Sequence, residues 1–296
     1  MQQLKHSLRF WHLYENIWKG KNKEGISIER DRYDLHKYDK RVDASRMRIK
    51  DLDQLKVRED VFDEITLLAL YKMVNRGWIS AIGGSISTGK EANVFLADRK
   101  EEQVAIKIYM TRTANFQKMQ DYIAGDRRFI NIGKTRRDIV FAWTRKEFSN
   151  LKRALEAGLA VPKPLVFDRN ILVMEFLGED EIPYPQLRVA KIPDPAGVYA
   201  SLMESLRILW QTAKLVHGDL SEYNILYGGG KAWLIDMGQA VTPDHPHSII
   251  FLRRDLEQLN RFFSPLCETM VLIDAMRQVT GIPHLPENAG TELREA

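Results

Sequence analysis

The sequence predicts an α+β protein of two lobes, a small β-rich one followed by a mainly helical one. Three observations carry this. The chain has 296 residues, a length at which one hydrophobic core usually divides. Short β-like runs cluster between residues 93 and 109 and again near 171–176, while helical spacing dominates residues 198–215 and recurs beyond. A proline-rich stretch over residues 183–195 reads as the connector.

Composition narrows the class. With 44% hydrophobic and 28% charged residues the chain can bury a sizeable core, which excludes wholesale disorder. A single cysteine, Cys267, excludes an internal disulfide framework and fits a reducing, cytoplasmic setting. No run of 18 apolar residues is present, and the start lacks a basic region followed by an apolar one, so neither a membrane span nor a secretory signal is expected.

From the N-terminus, Leu4, Leu8, Trp11 and Trp18 suggest a short amphipathic helix, and residues 21–60 carry 12 Lys/Arg and 10 Asp/Glu. Residues 1–48 are therefore read as a charged arm and 49–81 as a helical extension. In the latter Val61, Ile65, Leu68 and Tyr71/Lys72 form a stripe ending at Gly77. The first lobe is assigned to 82–177 and the second to 178–296. Within the first, residues 111–137 are polar and basic without periodicity and predict a flexible loop. Helical spacing resumes at Val140 and stops at Gly158. Pro162 and Pro164 then break the chain before a strand at 171–176.

Residues 83–89 are glycine-rich, and Gly84 to Lys90 nearly spell a P-loop. Glu91 stands where a metal-binding hydroxyl is required, and the following residues read as strand rather than helix. A glycine-rich turn between two strands, lying over a nucleotide, suits the pattern better. Val104-Ala105-Ile106-Lys107 matches the strand that presents a phosphate-binding lysine in protein kinases. That lysine needs a helix carboxylate, and Glu147, four residues before Leu151, falls on an apolar helix stripe where it requires a cation.

His217-Gly218-Asp219 through Asn224 has the Asp-to-Asn spacing of a kinase catalytic loop. Two short strands joined by Gly228-Gly229-Gly230 follow, and such a hairpin brings Asn224 beside Asp236. Two oxygen ligands converging there suit a hard divalent cation, Mg2+ or Mn2+, that bridges phosphates. Phosphoryl transfer then gives each residue a role. Lys107, oriented by Glu147, holds phosphates; Asn224 and Asp236 hold metal; Asp219 takes the proton of the attacking hydroxyl.

These residues resemble a known family. The run from Ser87, Thr88, Gly89, Lys90 and Glu91 to Phe95 resembles the nucleotide loop of RIO-type atypical serine/threonine protein kinases, in their type 1 branch. His217 to Leu226 is similar to that family's catalytic loop, Lys146 to Leu151 to its helix, and His245 to Asp255 to its C-terminal signature. The resemblance covers roughly residues 50–275, with Met237 a departure where the family more often has a smaller residue. It implies a two-lobed protein-kinase-like fold binding ATP and magnesium, with adenine against the hinge backbone from Glu175 to Leu177. It also implies serine autophosphorylation, and an ATPase cycle in which Asp236 can become an aspartyl-phosphate. The implied setting is maturation of the small ribosomal subunit. Only 60 residues follow Asp236 and no A-P-E motif occurs among them, so a full activation segment is not expected.

Two other functions compete. A small-molecule kinase of the aminoglycoside or choline type shares the His-Gly-Asp…Asn loop but needs a larger C-terminal lobe. An assembly factor that binds rRNA and uses ATP as a switch is suggested by residues 111–153, with 11 Lys/Arg against 4 Asp/Glu. That block holds +7 of a net +4, leaving the remainder slightly acidic. His245 and His247 read as a turn rather than a metal site, and Cys267 as a core residue in a helical stretch.

Overall fold

The computed structural model describes residues 62–112, 116–129, 132–133, 135–286 and 288–291. The expected helix near Leu8 and the charged arm lie outside them.

Helix α1 (Glu64–Asn75) starts where the Asp63 side chain accepts from Thr66 N at 2.8 Å, and ends before Gly77, whose φ of +71° needs no Cβ. Its buried face is Thr66, Ala69, Leu70 and Met73; Leu68 and Tyr71 of the predicted stripe are exposed. The helix is turned by about one residue from expectation. The small Ala69 and the flexible Met73 share a buried cluster with Ile79, just before the sheet, and with Ile106, Ile108 and Val173 of the sheet itself.

That sheet is antiparallel, in the order β1-β2-β3-β5-β4, with strands Ala81–Thr88, Ala92–Arg99, Glu102–Tyr109, Ile171–Glu175 and, at one edge, Pro164–Asp168. Pro164, read from sequence as a breaker, instead begins β4, because an edge strand tolerates a residue without an N–H. The glycine-rich segment also differs from expectation. Gly83 and Gly84 lie within β1, which bulges between Ile82 and Ser87, and the turn is confined to residues 89–91. On β3, Val104, Ile106 and Ile108 pack toward α1, while Lys107 and Tyr109 face the opposite helix, α3 (Arg136–Glu156). Helix α3 opens on a reciprocal Thr135–Asp138 capping box.

The segment expected to be a flexible loop folds in its described parts. Helix α2 (Phe116–Ala124) and a 3-10 turn (Arg127–Phe129) bury Met119, Tyr122, Ile123 and Phe129 against α3 and the second lobe. The apolar spacing is short and diluted by charge, which hides its period.

A small hairpin, β6 (Gly178–Glu179) and β7 (Ile182–Pro183), leads into the second lobe. There α4 (Pro195–Gln211) is capped by Asp194, with Pro195 in its first turn. The hairpin β8 (Ile225–Gly228) and β9 (Lys231–Leu234) follows. Helices α5 (Ser248–Phe263) and α6 (Leu272–Thr280) close the core with Leu202, Leu206, Leu256 and Met276. Residues 237–247 alone separate Asp236 from α5, which leaves no room for a long activation segment. Cys267 is half-buried in the bend after α5 rather than within a helix. Among the described residues no helix is long and apolar enough to cross a membrane.

Candidate active site

Three charged side chains from distant parts of the chain meet at the centre. Lys107 Nζ on β3 lies 2.8 Å from Glu147 Oε1 on α3 and 3.0 Å from Asp236 Oδ1 after β9. Burial disfavours charge on the lysine, but the two carboxylates outweigh it and raise its pKa, so it remains an ammonium. The same lysine holds the Asp236 carboxyl below its usual range against the opposing effect of burial. Tyr109, two residues beyond Lys107 on the same strand face, donates to Glu147 Oε2.

The β8–β9 hairpin works as its spacing predicts. Ile235 N donates to Asn224 O at 3.0 Å, so Asn224 stands next to the residue preceding Asp236. Their side chains are engaged differently. Asn224 Nδ2 donates to the Asp219 carbonyl at 2.8 Å and to Asp219 Oδ2 at 3.2 Å, while Asp236 turns toward Lys107. Asp236 adopts φ +59°, a left-handed conformation that a short polar side chain tolerates and that concentrates at functional sites.

The catalytic-loop candidate is held from beneath. Asp255 on α5, fully buried, accepts from Gly218 N at 2.8 Å and Leu220 N at 2.9 Å, one on each carboxylate oxygen. His217 Nε2 lies 3.0 Å from the Ile235 carbonyl, tying the loop to the residue between β9 and Asp236. Ser87, Thr88, Gly89 and Lys90 are exposed at the end of β1 and its turn. There Gly89 N donates to Ala92 O at 3.0 Å and to Asn93 Oδ1 at 3.3 Å. Glu91 is half-buried; burial pushes its carboxyl up, and the charges of Lys118, Asp236 and Lys107 also act on it.

Lys107, Glu147, Asp219, Asn224 and Asp236 thus come together, with Glu91 within electrostatic reach. Glu175 does not join them. It is exposed, and its Oε2 accepts from Lys163 N at 3.0 Å. The Leu177 carbonyl accepts from Tyr184 N at 3.0 Å, so that hinge acceptor is already engaged. His245 and His247 form no metal group, and among the described residues no cluster of three His, Cys, Asp or Glu does.

Sequence reasoning gave no role to Tyr109 or Gln239, and included Asp255, Lys146 and Asn150 only as members of longer motifs. Lys146 Nζ donates to Gly238 O at 2.9 Å and Ala240 O at 2.5 Å; Asn150 Nδ2 donates to Met237 O at 2.8 Å and Ala240 O at 2.9 Å. The signal was available in the helix period, since 146, 147 and 150 share a face. In the sequence Lys146 reads as one more cation of the basic block 111–153.

A carboxylate at Asp236 and an amide oxygen at Asn224, both on hard oxygen, suit Mg2+, which binds one or two protein ligands and takes the rest from phosphates and water.

Comparison with known proteins agrees with this arrangement. The RIO domain family matches residues 93–276. The RIO-type serine/threonine-protein kinase Rio1 of Haloferax volcanii is 46% identical over 243 residues, covering 81% of this chain and 83% of that protein. RIO1 kinases of Caenorhabditis elegans and Homo sapiens are 42% and 40% identical, and cover 76% and 75% of the chain. The chain spans only 45% and 40% of those two relatives' own length. The Rio2 kinase of Chaetomium thermophilum, in a complex described as ADP/Mg2+-phosphoaspartate, superimposes with a TM-score of 0.55 at 22% identity. The alignment covers 78% of this chain and 75% of that one, and it establishes the shared fold.

Proposed function

The chain belongs to the RIO family of serine/threonine-protein kinases, and from that membership we propose that it transfers the γ-phosphoryl group of ATP to a serine hydroxyl, its own included. The observation that carries the reading is Lys107, buried between Glu147 and Asp236. An ammonium fixed in that way is preorganised to hold phosphate oxygens without reorienting during reaction. Asp236 and Asn224 would hold magnesium, which when bound neutralises charge on the transferred group. The backbone around Gly89 closes over the phosphates, and Asp219 accepts the proton as the serine oxygen bonds to phosphorus and the bond to ADP breaks.

ATP hydrolysis through Asp236 is the second part of the proposal. One Asp236 oxygen rests on Lys107, and the side chain is partly open to solvent. Its other oxygen can attack the γ-phosphorus, releasing ADP, and water then returns the carboxylate and inorganic phosphate. The related Rio2 kinase, described as a phosphoaspartate complex, supports this. Incubation with γ-labelled ATP and magnesium tests both: label on serine, hydroxylamine-labile label on Asp236, and free phosphate are expected. Absence of all three with either magnesium or manganese overturns the reading.

The proposed setting is maturation of the small ribosomal subunit, with rRNA as a contact. Arg112, Arg136 and Arg137 line a cavity of about 480 Å³ with Thr111 and Thr135, and this favours a phosphate-bearing partner there. Two other basic residues of the 111–153 block are engaged within the fold: Lys146 is buried and Arg128 is held by Asp126. RNA binding whose affinity falls steeply with salt and is lost on reversing the three arginines' charge is the expected result; salt-insensitive binding overturns it.

A further inference from the structure

Gln239 lies three residues beyond Asp236 and is almost fully buried at 6% exposure. Its Nε2 donates to Asp219 Oδ2 at 2.8 Å. The orientation of this amide is dictated by charge, since the reverse would set a carbonyl oxygen against a carboxylate. In that orientation Gln239 Oε1 is buried with no hydrogen-bond partner. A desolvated carbonyl without a donor is destabilising, so an apolar side chain of similar size would serve the fold at least as well.

The mount of Gln239 is rigid. Lys146 and Asn150 take the carbonyls of Met237, Gly238 and Ala240 on both sides of it. Val216 and Val241 exchange backbone hydrogen bonds at 2.8 and 3.0 Å just beyond. The backbone of the catalytic loop also touches this segment, because a Cβ on Gly218 would come within 3.2 Å of the Gln239 carbonyl. Gln239 and Asn224 both donate to Oδ2 of Asp219, so neither amide occupies Oδ1.

We propose that Gln239 is a positioning residue for Asp219: its amide fixes the carboxylate rotamer and ties it to the segment that carries Asp236. The proposal rests on the reading of Asp219 as proton acceptor. It accounts for a buried amide that weakens the fold at one atom and grips the reacting carboxylate with the other.

The test is Gln239→Leu in the full chain, with serine phosphorylation followed by γ-labelled ATP and magnesium. The expected result is a fall in kcat of about tenfold to a hundredfold, as for other small displacements of a reacting group. The KM for ATP and the affinity for ADP stay within about twofold, and Tm is unchanged or raised as the orphan carbonyl is removed. In an Asp219→Asn background the same substitution lowers the residual rate no further, since no carboxylate remains to be oriented. Full kcat in Gln239→Leu beside an inactive Asp219→Asn overturns the proposal alone. So does a loss of kcat accompanied by lower Tm and weaker ADP binding, which is what a purely structural role produces. Normal turnover in Asp219→Asn removes the underlying reading and the proposal with it.

Discussion

Tyr109 donates its phenolic proton to Oε2 of Glu147, the carboxylate oxygen that Lys107 leaves free. The phenol is completely enclosed, and burial together with the Glu147 charge pushes its pKa upward, so it remains a donor. Glu147 is thereby held at both oxygens, and α3 is fastened to β3 by two side chains rather than one. Tyr109→Phe keeps the packing and removes one charge-assisted bond, a cost of about 1.5–3 kcal/mol. We expect a lower Tm and a several-fold higher KM for ATP, with kcat changed less. Thermal unfolding and initial rates check this; unchanged Tm and KM would show that Lys107 alone positions Glu147.

Asp236→Asn separates chemistry from folding. The side chain is 43% exposed, and Lys107 keeps Glu147 as a buried partner when the Asp236 charge is lost. The circular dichroism spectrum is expected to remain native, while turnover falls by about a thousandfold or more, as for loss of a preorganised charge on a transferring phosphoryl group. Chelating magnesium should stop the unmodified chain equally, with full recovery on adding metal back; the variant should not recover. A folded Asp236→Asn chain with normal turnover would refute the role given to this carboxylate.

Parts of this site are legible in the sequence because they depend on local spacing. The alternation along Val104 to Tyr109 turns Lys107 toward α3, the helix period turns Glu147 inward, and a three-glycine hairpin returns the chain so that Asn224 and Asp236 adjoin. What escaped depends on partners far along the chain. Lys146 looks like one more charge in a basic block, and only the carbonyls of residues 238 and 240 make it a core residue. Gln239 carries no motif of its own, and Asp255 gains its role only because α5 passes under Gly218. Helix α2 was hidden for another reason: three buried apolar side chains in nine residues are too few to establish a period amid polar neighbours.

Asp255 ties α5 to the catalytic loop through two backbone amides, beside Arg254 of the same helix, which donates to the Gly218 carbonyl. Burial raises its carboxyl pKa, while His217, Arg254 and the two N–H groups oppose the shift. Asp255→Ala leaves two buried amides unpaired, at about 1–3 kcal/mol each. Stability measured by urea unfolding should fall accordingly, and kcat should fall because Gly218 to Leu220 carry Asp219. Native stability in the variant would show that water or a neighbouring group satisfies those amides.

Lys146 provides the pH-dependent prediction. Burial lowers its pKa from 10.5 to about 7, with Asp126 opposing the shift and Arg128 reinforcing it. As a neutral amine it still has the two N–H donors that Gly238 and Ala240 require. The unfolded lysine keeps its proton up to about pH 10.5, whereas the folded one releases it near 7. Between those values the unfolded state binds more protons, so this group makes the fold more stable as pH rises, by up to about 1.4 kcal/mol per pH unit. Below pH 7 both states are charged, the slope vanishes, and the folded state carries the full cost of a buried ammonium. Lys146→Met removes the titration and leaves the Gly238 carbonyl without its donor. Urea midpoints at pH 6.5, 7.5 and 8.5 should therefore show the native chain gaining on the variant at each step. Parallel pH profiles for the two proteins would mean that Lys146 stays charged in the fold, compensated by Asp126.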